Sequence, residues 1–498
     1  MEVFNYLAYL LTPLVIFVVV YLYCSYKQNY WTRRGVVQLK NTSKVFGDFK
    51  NGVLFRTGPG LLFGQLYKTA PTDAPFVGIY IFHKPCLLLR DPQIIKQVLV
   101  SDFKIFTNRH FAGRQQKDSI GMTNLFGVRE PAWSYLRKKL SPTLSGRGKM
   151  KQTLPFMIES AKPMMEYLSK KTGSGNLQAI DIQDVSYKFA SDLIANLALG
   201  AKTDCFEYPD SYYCKFLMDF FYSFKRMVAL VTVFFMPELV DMMGSLMLFD
   251  SSYIRKVFWE VVESREISDE KRGDYIDEVI QLKNGQQDPV YKFEGDNVVY
   301  QCGTLLSGFE SSAIATTFLL MELAKNKEYQ DLARKDIKEA IAKHGWTVEA
   351  FDQMKYLGQC LSESLRLHPA VSTLDRYPTK DYQVPNTDLV IEKGTPVFIS
   401  MYGLHGDARY FEDPEVFKPE RFDSDRVVSD AYIPFSIGPR MCVGAQLGQL
   451  HVKVAVAMIL SEYELSQNSQ EVKMDHRSTL TAAADGIHVE FNKLSSSD

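Results

Sequence analysis

No two cysteines in this 498-residue chain form a C-x-x-C pair, and the seven present, at 24, 86, 205, 214, 302, 360 and 442, are odd in number and widely spaced. That pattern indicates neither a zinc site nor a disulfide framework. Most of these residues read as buried thiols in a reducing compartment, and one needs a separate explanation. Net charge is also scarce: at −1, the chain has no overall field to attract nucleic acid or an acidic partner. Internal repeats are missing, as are Gly/Ser-rich and Pro-rich linkers. The polar stretch 283–296 is too short to divide the chain into domains.

One further absence is local. Residues 3–26 carry no charged side chain, and 7–24 is dense in Leu, Val, Ile, Phe and Tyr. At helical rise this run crosses a hydrocarbon core. Lys27, Arg33 and Arg34 follow at once, whereas only Glu2 and the terminal amine precede it, so the positive-inside bias places the rest of the chain in the cytoplasm. The rival reading, a cleaved signal peptide, lacks a small-x-small site, for which Cys24-Ser25-Tyr26 is a poor substitute. The expected organisation is an anchor at 1–27 and a catalytic body at 28–498, with residues 30–35 as a short tether.

What the chain does have is helical periodicity, over 184–199, 298–325 and 329–342. Strand-like runs at 78–82, 86–89 and 396–399 are too few for a large sheet. The expected fold is mainly α with a small β-sheet region. The 33 Phe and 27 Tyr suit a large apolar interior or a pocket for greasy ligands. The aromatic run 216–235 has three readings: the roof of a cavity, a surface dipping into the bilayer, or core.

The sharpest motif is Phe435-Ser436-Ile437-Gly438-Pro439-Arg440-Met441-Cys442-Val443-Gly444. A Gly/Pro-rich loop here sets one cysteine near the start of a helical run, 445–460, where the helix dipole and a metal favour the thiolate. Gly438 and Gly444 would let the backbone approach a flat macrocycle. Arg440 suits a charge-assisted pair with a carboxylate of such a ligand. A loop with a buried structural cysteine is the bland alternative, and five fixed residues at fixed spacing argue against it.

This decapeptide resembles the cysteine loop of the cytochrome P450 superfamily, the haem-thiolate monooxygenases, with the pattern F-x-x-G-x-R-x-C-x-G. Three further stretches match in the family's order. Glu363-Ser364-Leu365-Arg366 resembles its E-x-x-R helix and Pro419-Glu420-Arg421-Phe422 the partner segment, so the resemblance implies a buried network of Glu363, Arg366 and Arg421. Trp133-Ser134-Tyr135-Leu136-Arg137 resembles the W-x-x-x-R helix, implying that Trp133 and Arg137 hold a haem propionate. By the same likeness Arg376 is a propionate partner; the bland reading of either arginine is a solvated charge. Ser307-Gly308-Phe309-Glu310-Ser311-Ser312 resembles the oxygen-side motif, in which an acid and an alcohol relay protons, here Glu310 and Ser311. Ser307 stands where the family has a small Ala or Gly, and Ser311 where it has Thr, so the hydroxyl remains without its stiffening methyl.

The resemblance runs from the anchor to about Asn492, and residues 381–422 are most like insect microsomal detoxification-type members. It implies haem b (iron protoporphyrin IX) held through Cys442, with Phe435, Gly438, Arg440 and Gly444 around it and 106–126 and 371–374 lining the pocket. It also implies an endoplasmic-reticulum membrane enzyme whose catalytic domain faces the cytosol. Such an enzyme inserts one oxygen atom from O2 into apolar substrates (xenobiotics, lipids or hormones). Electrons would come from NADPH through NADPH-cytochrome P450 reductase, with cytochrome b5 as a further candidate partner. On a helix, Lys138 and Lys139 turn roughly 100° and 200° away from Arg137, which points Lys139 outward to such a partner. His368, His405 and His451 read as structural, since a lone histidine carries no ligand pattern. Two rivals keep the haem: an isomerase or dehydratase acting on peroxides, and a binding protein without turnover.

Overall fold

The computed structural model describes residues 2–39, 43–111, 123–173, 178–240, 252–426, 428–467 and 471–495, without the side chains of 2–10, 178, 219–221 and 306–307. Helices dominate, and three small sheets lie among them. The expected strands sit in the largest sheet, whose order is Phe76–Ile81, Lys84–Leu89, Val397–Ser400 and Thr373–Arg376. Its middle strands are buried almost throughout, which is why they read as continuous apolar runs rather than as alternation.

The core of the body is organised around the helix Cys302–Lys325, which packs against Ile182–Ala198 and Ala445–Glu462. Phe318, Leu319, Leu320 and Leu323 are each almost fully buried. Although apolar enough to cross a membrane, this helix is enclosed by protein, so its hydropathy reflects the core. The unbroken helix expected over 298–325 is interrupted at Gln301, between Asp296–Tyr300 and Cys302–Lys325. There the Gln301 side chain donates to the Tyr291 hydroxyl at 2.7 Å, and the Gln301 carbonyl accepts from the Tyr275 hydroxyl at 3.2 Å. The same carbonyl also accepts the Thr304 N–H at 3.2 Å, a tighter turn than the helical ladder. Part of the polar stretch 283–296 is helical too, as the end of Tyr275–Asn284.

The N-terminal helix, Glu2–Lys27, is 26 residues long and, at 1.5 Å per residue, about 39 Å. Leu14, Val15, Ile16, Phe17, Val19 and Leu22 are all more than half exposed, as expected of a helix whose apolar surface has a nonaqueous partner. The segment after it is not a loose tether. Trp31 is completely buried, its indole N–H donating to the Ile79 carbonyl at 3.2 Å and its backbone N–H to the Tyr80 hydroxyl at 3.1 Å. Gly78 lies against that indole so closely that a Cβ would collide with the ring. Burying a tryptophan is worth several kcal/mol, enough to seat this segment on the sheet.

Cys205 and Cys214 form a disulfide, which corrects the expectation that these cysteines are separate buried thiols. It ties the segment after Ile182–Ala198 to the first turn of Tyr212–Tyr222. The signal was weak because a pair nine residues apart needs a specific fold of the intervening chain to meet.

Candidate active site

The 435–444 loop is closed by its own backbone. The Cys442 N–H donates to the Phe435 carbonyl at 2.9 Å and the Met441 N–H to the Gly438 carbonyl at 3.0 Å. Gly438 has φ 77°, and a Cβ there would strike the Leu99 carbonyl. A glycine is therefore required here by the turn and by its neighbour. Gly444 ends the loop just before Ala445–Glu462, with open space where a side chain would be. Phe435 is half-buried against the main core.

Cys442 is exposed, whereas Cys24, Cys86, Cys302 and Cys360 are buried. Its accessible surface notwithstanding, the surrounding protein is dense enough that desolvation pushes the thiol up; the Gly444 N–H and the guanidinium groups of Arg137 and Arg109 pull the other way. The helix start alone does not make a thiolate here, because Cys442 lies outside the helix and desolvation outweighs its donors. A coordinated metal cation is the remaining influence that would.

Three arginines converge beside this loop. Arg109, Arg376 and Arg440 are buried; the carboxylate of Asp375 lies among them, and Glu130 also acts on Arg440. Arg109 Nη1 is 3.5 Å from Asp375 Oδ1, and Asp375 Oδ2 accepts the Phe111 N–H at 3.1 Å. Among the described residues, Arg376 donates to the carbonyl of Asp375, at 2.7 Å, while its Nε and Nη2 have no partner. Arg440 reaches the carbonyl of Val128 at 2.7 Å and sits 4.4 Å from the centre of the Trp133 ring, leaving Nε unpaired. Burial and mutual repulsion lower Arg376 to about 9 and Arg440 to about 8. Unpaired buried charge is costly, so the cluster is built for an anion that the described side chains do not supply. Arg109 was missed in the sequence, where it stands in no motif; only its enclosure with the other two reveals it. Arg137, half-buried, donates to the Met441 carbonyl at 2.9 Å, on the cysteine side of the group.

The central helix passes the same region. A Cβ on Gly448, one and a half turns beyond Cys442, would lie 3.3 Å from Ser312 Oγ, so the cysteine helix crosses the central helix at the acid–alcohol motif. Gly308 is exposed and faces open space. Ser311 Oγ donates to its own helix, to the Gly308 carbonyl at 2.8 Å, as does Ser312 Oγ at 3.0 Å. Glu310 does not share this arrangement: both its oxygens are held by the guanidinium of Arg226, with Nη1 to Oε1 at 3.0 Å. The side chain of Ser307 lies outside the described residues.

The cytochrome P450 family model matches residues 49–491. The chain belongs to the cytochrome P450 family. It is 35% identical to cytochrome P450 6k1 of Blattella germanica over 96% of this chain and 95% of that protein. It is 31% identical to the probable cytochrome P450 6g2 of Drosophila melanogaster, over 93% and 94% respectively. Cytochrome P450 6j1 of Blattella germanica is likewise 31% identical, over 93% of each. The protein is accordingly a haem-thiolate monooxygenase with the mainly helical fold of its family.

In this P450 the residues present fit the haem that membership implies. The exposed cysteine would supply the thiolate, and the orphaned guanidinium atoms of Arg376, Arg109 and Arg440 would suit the haem carboxylates. Glu363 is completely buried and takes a bidentate pair from Arg366, at 2.7 and 2.8 Å, plus Arg421 Nε at 3.2 Å and the Lys418 N–H at 2.9 Å. Arg366 also donates to the carbonyls of His405 and Pro414. A carboxylate so surrounded is a structural knot between Lys355–Leu367 and the segment before the cysteine loop.

The histidines have similarly internal roles. His405 accepts the Ile433 N–H at 3.2 Å, and burial lowers it to about 3. His451 is lowered to about 3 by burial and lies between the rings of Phe189 and Phe309; His368 bonds to Glu322 at 2.9 Å. Beside the arginine group, Phe111 stacks on Phe234 at 4.7 Å and lies tilted against Phe126 at 4.9 Å, with Arg109 4.1 Å from the centre of the Phe126 ring. The sequence run 216–235 is two helices, Tyr212–Tyr222 and Phe224–Phe235, and residues 112–122 of the expected lining lie outside the described residues.

Proposed function

We propose that this P450 is a microsomal enzyme that hydroxylates or epoxidises apolar small molecules, with electrons from NADPH delivered by a membrane-bound reductase. The observation that carries the site assignment is the buried arginine cluster, several of whose guanidinium nitrogens pair with no described side chain and so suit the propionates of haem b. Cys442 and Arg109, Arg376 and Arg440, with Trp133 against Arg440, would hold haem b, which would supply the oxygen chemistry. Trp133 packs the cluster, and Arg137 orients the loop through the Met441 carbonyl.

The chain's own groups govern substrate and proton. Phe111, Phe126 and Phe234 form a packed aromatic cluster beside the arginine group, which supports an apolar, dry surrounding for the site. Ser311 offers a hydroxyl beside the open surface at Gly308, and Glu310, one residue earlier, is the acid able to resupply its proton. The exposed apolar helix Glu2–Lys27, with Arg33 and Arg34 after it, supports an endoplasmic-reticulum anchor with a cytosolic body. Lys138 and Lys139 are exposed on the helix of Arg137 and suit an acidic electron donor, the reductase or cytochrome b5.

The decisive experiment is a screen of apolar substrates with purified enzyme, reductase and NADPH. Oxygenated product whose added atom derives from O2 is the expected result. Cys442→Ala should lose the thiolate-ligated carbon monoxide spectrum while Cys302→Ala retains it. The retention of that spectrum in Cys442→Ala would remove the ligand assignment.

A further inference from the structure

The disulfide Cys205–Cys214 lies beside a buried acid. Asp192, on helix Ile182–Ala198, is 3% exposed, and the Cys205 N–H is shared between its two carboxylate oxygens, at 3.0 and 3.2 Å. The Thr203 hydroxyl donates to the same carboxylate at 2.8 Å. Asp204 raises this acid and Lys188 lowers it, while the Tyr213 phenol, itself near Tyr253, is raised in turn by Asp192. Tyr213 is fastened to the same helix, its hydroxyl donating to the Ser191 carbonyl at 3.0 Å. Burial outweighs the donors, so the Asp192 carboxyl is pushed up to about 7. A group bonded to the backbone of Cys205 therefore exchanges its proton near neutrality.

Both cysteines are buried, but they are placed unequally. Cys214 is in the first turn of Tyr212–Tyr222, where its N–H donates to the Ser211 hydroxyl at 3.3 Å; the start of an 11-residue helix favours a thiolate. Cys205 is wholly buried and held against the acid. Between them residues 207–210 are exposed. Glu207 pairs with Lys170 at 2.8 Å on the surface, and the Phe206 ring lies 5.4 Å from Tyr167. An exposed ion pair contributes little, so this segment opens locally at low cost and uncovers Cys214.

We propose that Cys205–Cys214 is a thiol–disulfide exchange site for a low-molecular-weight thiol, with Cys214 as the sulfur attacked and Asp192 as the proton donor to Cys205. When residues 207–210 open, a thiolate attacks Cys214 Sγ and the Cys205–Cys214 bond breaks. The electron pair of that bond passes to the Cys205 sulfur, which takes the proton of the Asp192 carboxyl, and the attacking sulfur stays bonded to Cys214. A second thiolate attacks this mixed disulfide, releasing Cys214 as a thiolate and the small thiol as its own disulfide. Two thiols thus give up two electrons, the protein disulfide gains them, and solvent returns the proton to Asp192. Reoxidation runs the steps backward, with the Asp192 carboxylate accepting the Cys205 proton. Once the bond is open, the start of Tyr212–Tyr222 keeps the Tyr213–Ser191 hydrogen bond but loses its covalent tie to the preceding segment. Cytosolic thiols keep such a disulfide in exchange, which suits the orientation proposed above, and the chemistry itself holds in solution whatever the orientation.

The test places the full-length holoenzyme in glutathione buffers from reduced to oxidised, followed by acid quenching, alkylation and mass spectrometry of the peptide holding Cys205 and Cys214. Wild type should open and reclose reversibly through a glutathione adduct on Cys214. Its reduction rate per glutathione thiolate should fall about tenfold from pH 6 to pH 8, because a donor titrating near 7 loses its proton across that window. Asp192→Asn, which keeps an acceptor for both donors, should be slow and flat throughout. Thr203→Val removes a hydrogen bond that favours the carboxylate, so its fast limb should extend to higher pH. Amide hydrogen exchange over residues 204–218 should quicken when wild type is reduced, with the haem spectrum unchanged. A bond that persists in excess reduced glutathione, or cysteines that alkylate in the oxidised protein, overturns the proposal. The same pH profile in Asp192→Asn as in wild type removes the proton donor and overturns it as well. Slow reduction of Asp192→Asn matched by slower amide exchange in its oxidised loop would trace the effect to opening rather than proton supply, and the proposal would fail.

Discussion

Arg376 shows how a single residue changes meaning with its surroundings. On a surface its charge would be unremarkable, but here it is 1% exposed, with Nε and Nη2 unpartnered and two other guanidinium groups nearby. Replacing it with Gln should leave the fold intact or slightly more stable without haem, because a buried repulsion is relieved. Haem retention should weaken by tenfold or more, given about 1.5–3 kcal/mol for a charged hydrogen bond. The transfer rate of haem to an excess acceptor protein measures this, and an unchanged rate would show that Arg109 and Arg440 suffice. Asp192 makes a second prediction at this scale. Burial pushes its carboxyl up to about 7, although it accepts from the Thr203 hydroxyl at 2.8 Å and the Cys205 N–H at 3.0 Å. With a folded pKa above the unfolded one, the native state holds the extra proton, so this group lowers stability as pH rises from about 4 to about 7. The penalty above that window is at most ~4 kcal/mol. Asp192→Asn keeps an acceptor for both donors and should flatten that part of the dependence, read from thermal unfolding at pH 5 and pH 8. Equal slopes in the two proteins would contradict the assignment.

Among the elements, the central helix carries two hydroxyls on one carbonyl. Ser311 and Ser312 both donate to Gly308, so Ser311→Ala leaves that carbonyl satisfied. Its stability cost should stay below about 1 kcal/mol, as for one redundant neutral hydrogen bond. If Ser311 guides a proton, the same change should yield less product and more hydrogen peroxide per NADPH, with substrate affinity unaltered. A purely helical role predicts an unchanged ratio. Ser311→Thr should improve the ratio where the added methyl fits, because a β-branched side chain has fewer rotamers. This helix was legible as a long apolar run, yet its interruption at Gln301 was not: the partners of Gln301 there, the hydroxyls of Tyr291 and Tyr275, belong to other segments.

For the whole molecule, the point of interest is how the N-terminal helix joins the body. Trp31 inserts beneath the sheet, and Gln28 donates to the carbonyls of Ser43 and Phe82, at 2.9 and 3.2 Å. The segment thus sets the body's attitude as well as its attachment. Removing residues 2–27 should release the protein from membranes while preserving the haem spectrum. Trp31→Ala should cost roughly 3–5 kcal/mol by cavity formation and quicken proteolysis after residue 27, yet keep the protein in the membrane fraction. Carbonate extraction and limited proteolysis of sealed vesicles separate the two, and a body protected inside the vesicle would reverse the proposed orientation.

The sequence by itself determined whatever depends on short spacing: the cysteine loop, the Glu363–Arg366 pair, the uncharged N-terminal run and the helical character of the body. Each is read from residues within one or two turns of each other, where backbone geometry alone decides what can meet. Tertiary structure alone decided the partners. Arg226 and Glu310 are 84 residues apart, and nothing in either neighbourhood names the other. Arg109 gains its place only by enclosure with Arg376, Arg440 and Asp375, and Cys205 meets Cys214 only because the chain between them folds back. The physical reason is the same in the charged cases. In water these side chains would be interchangeable surface charges, whereas burial makes every unpaired one expensive, and the fold chooses which opposite charge is within reach.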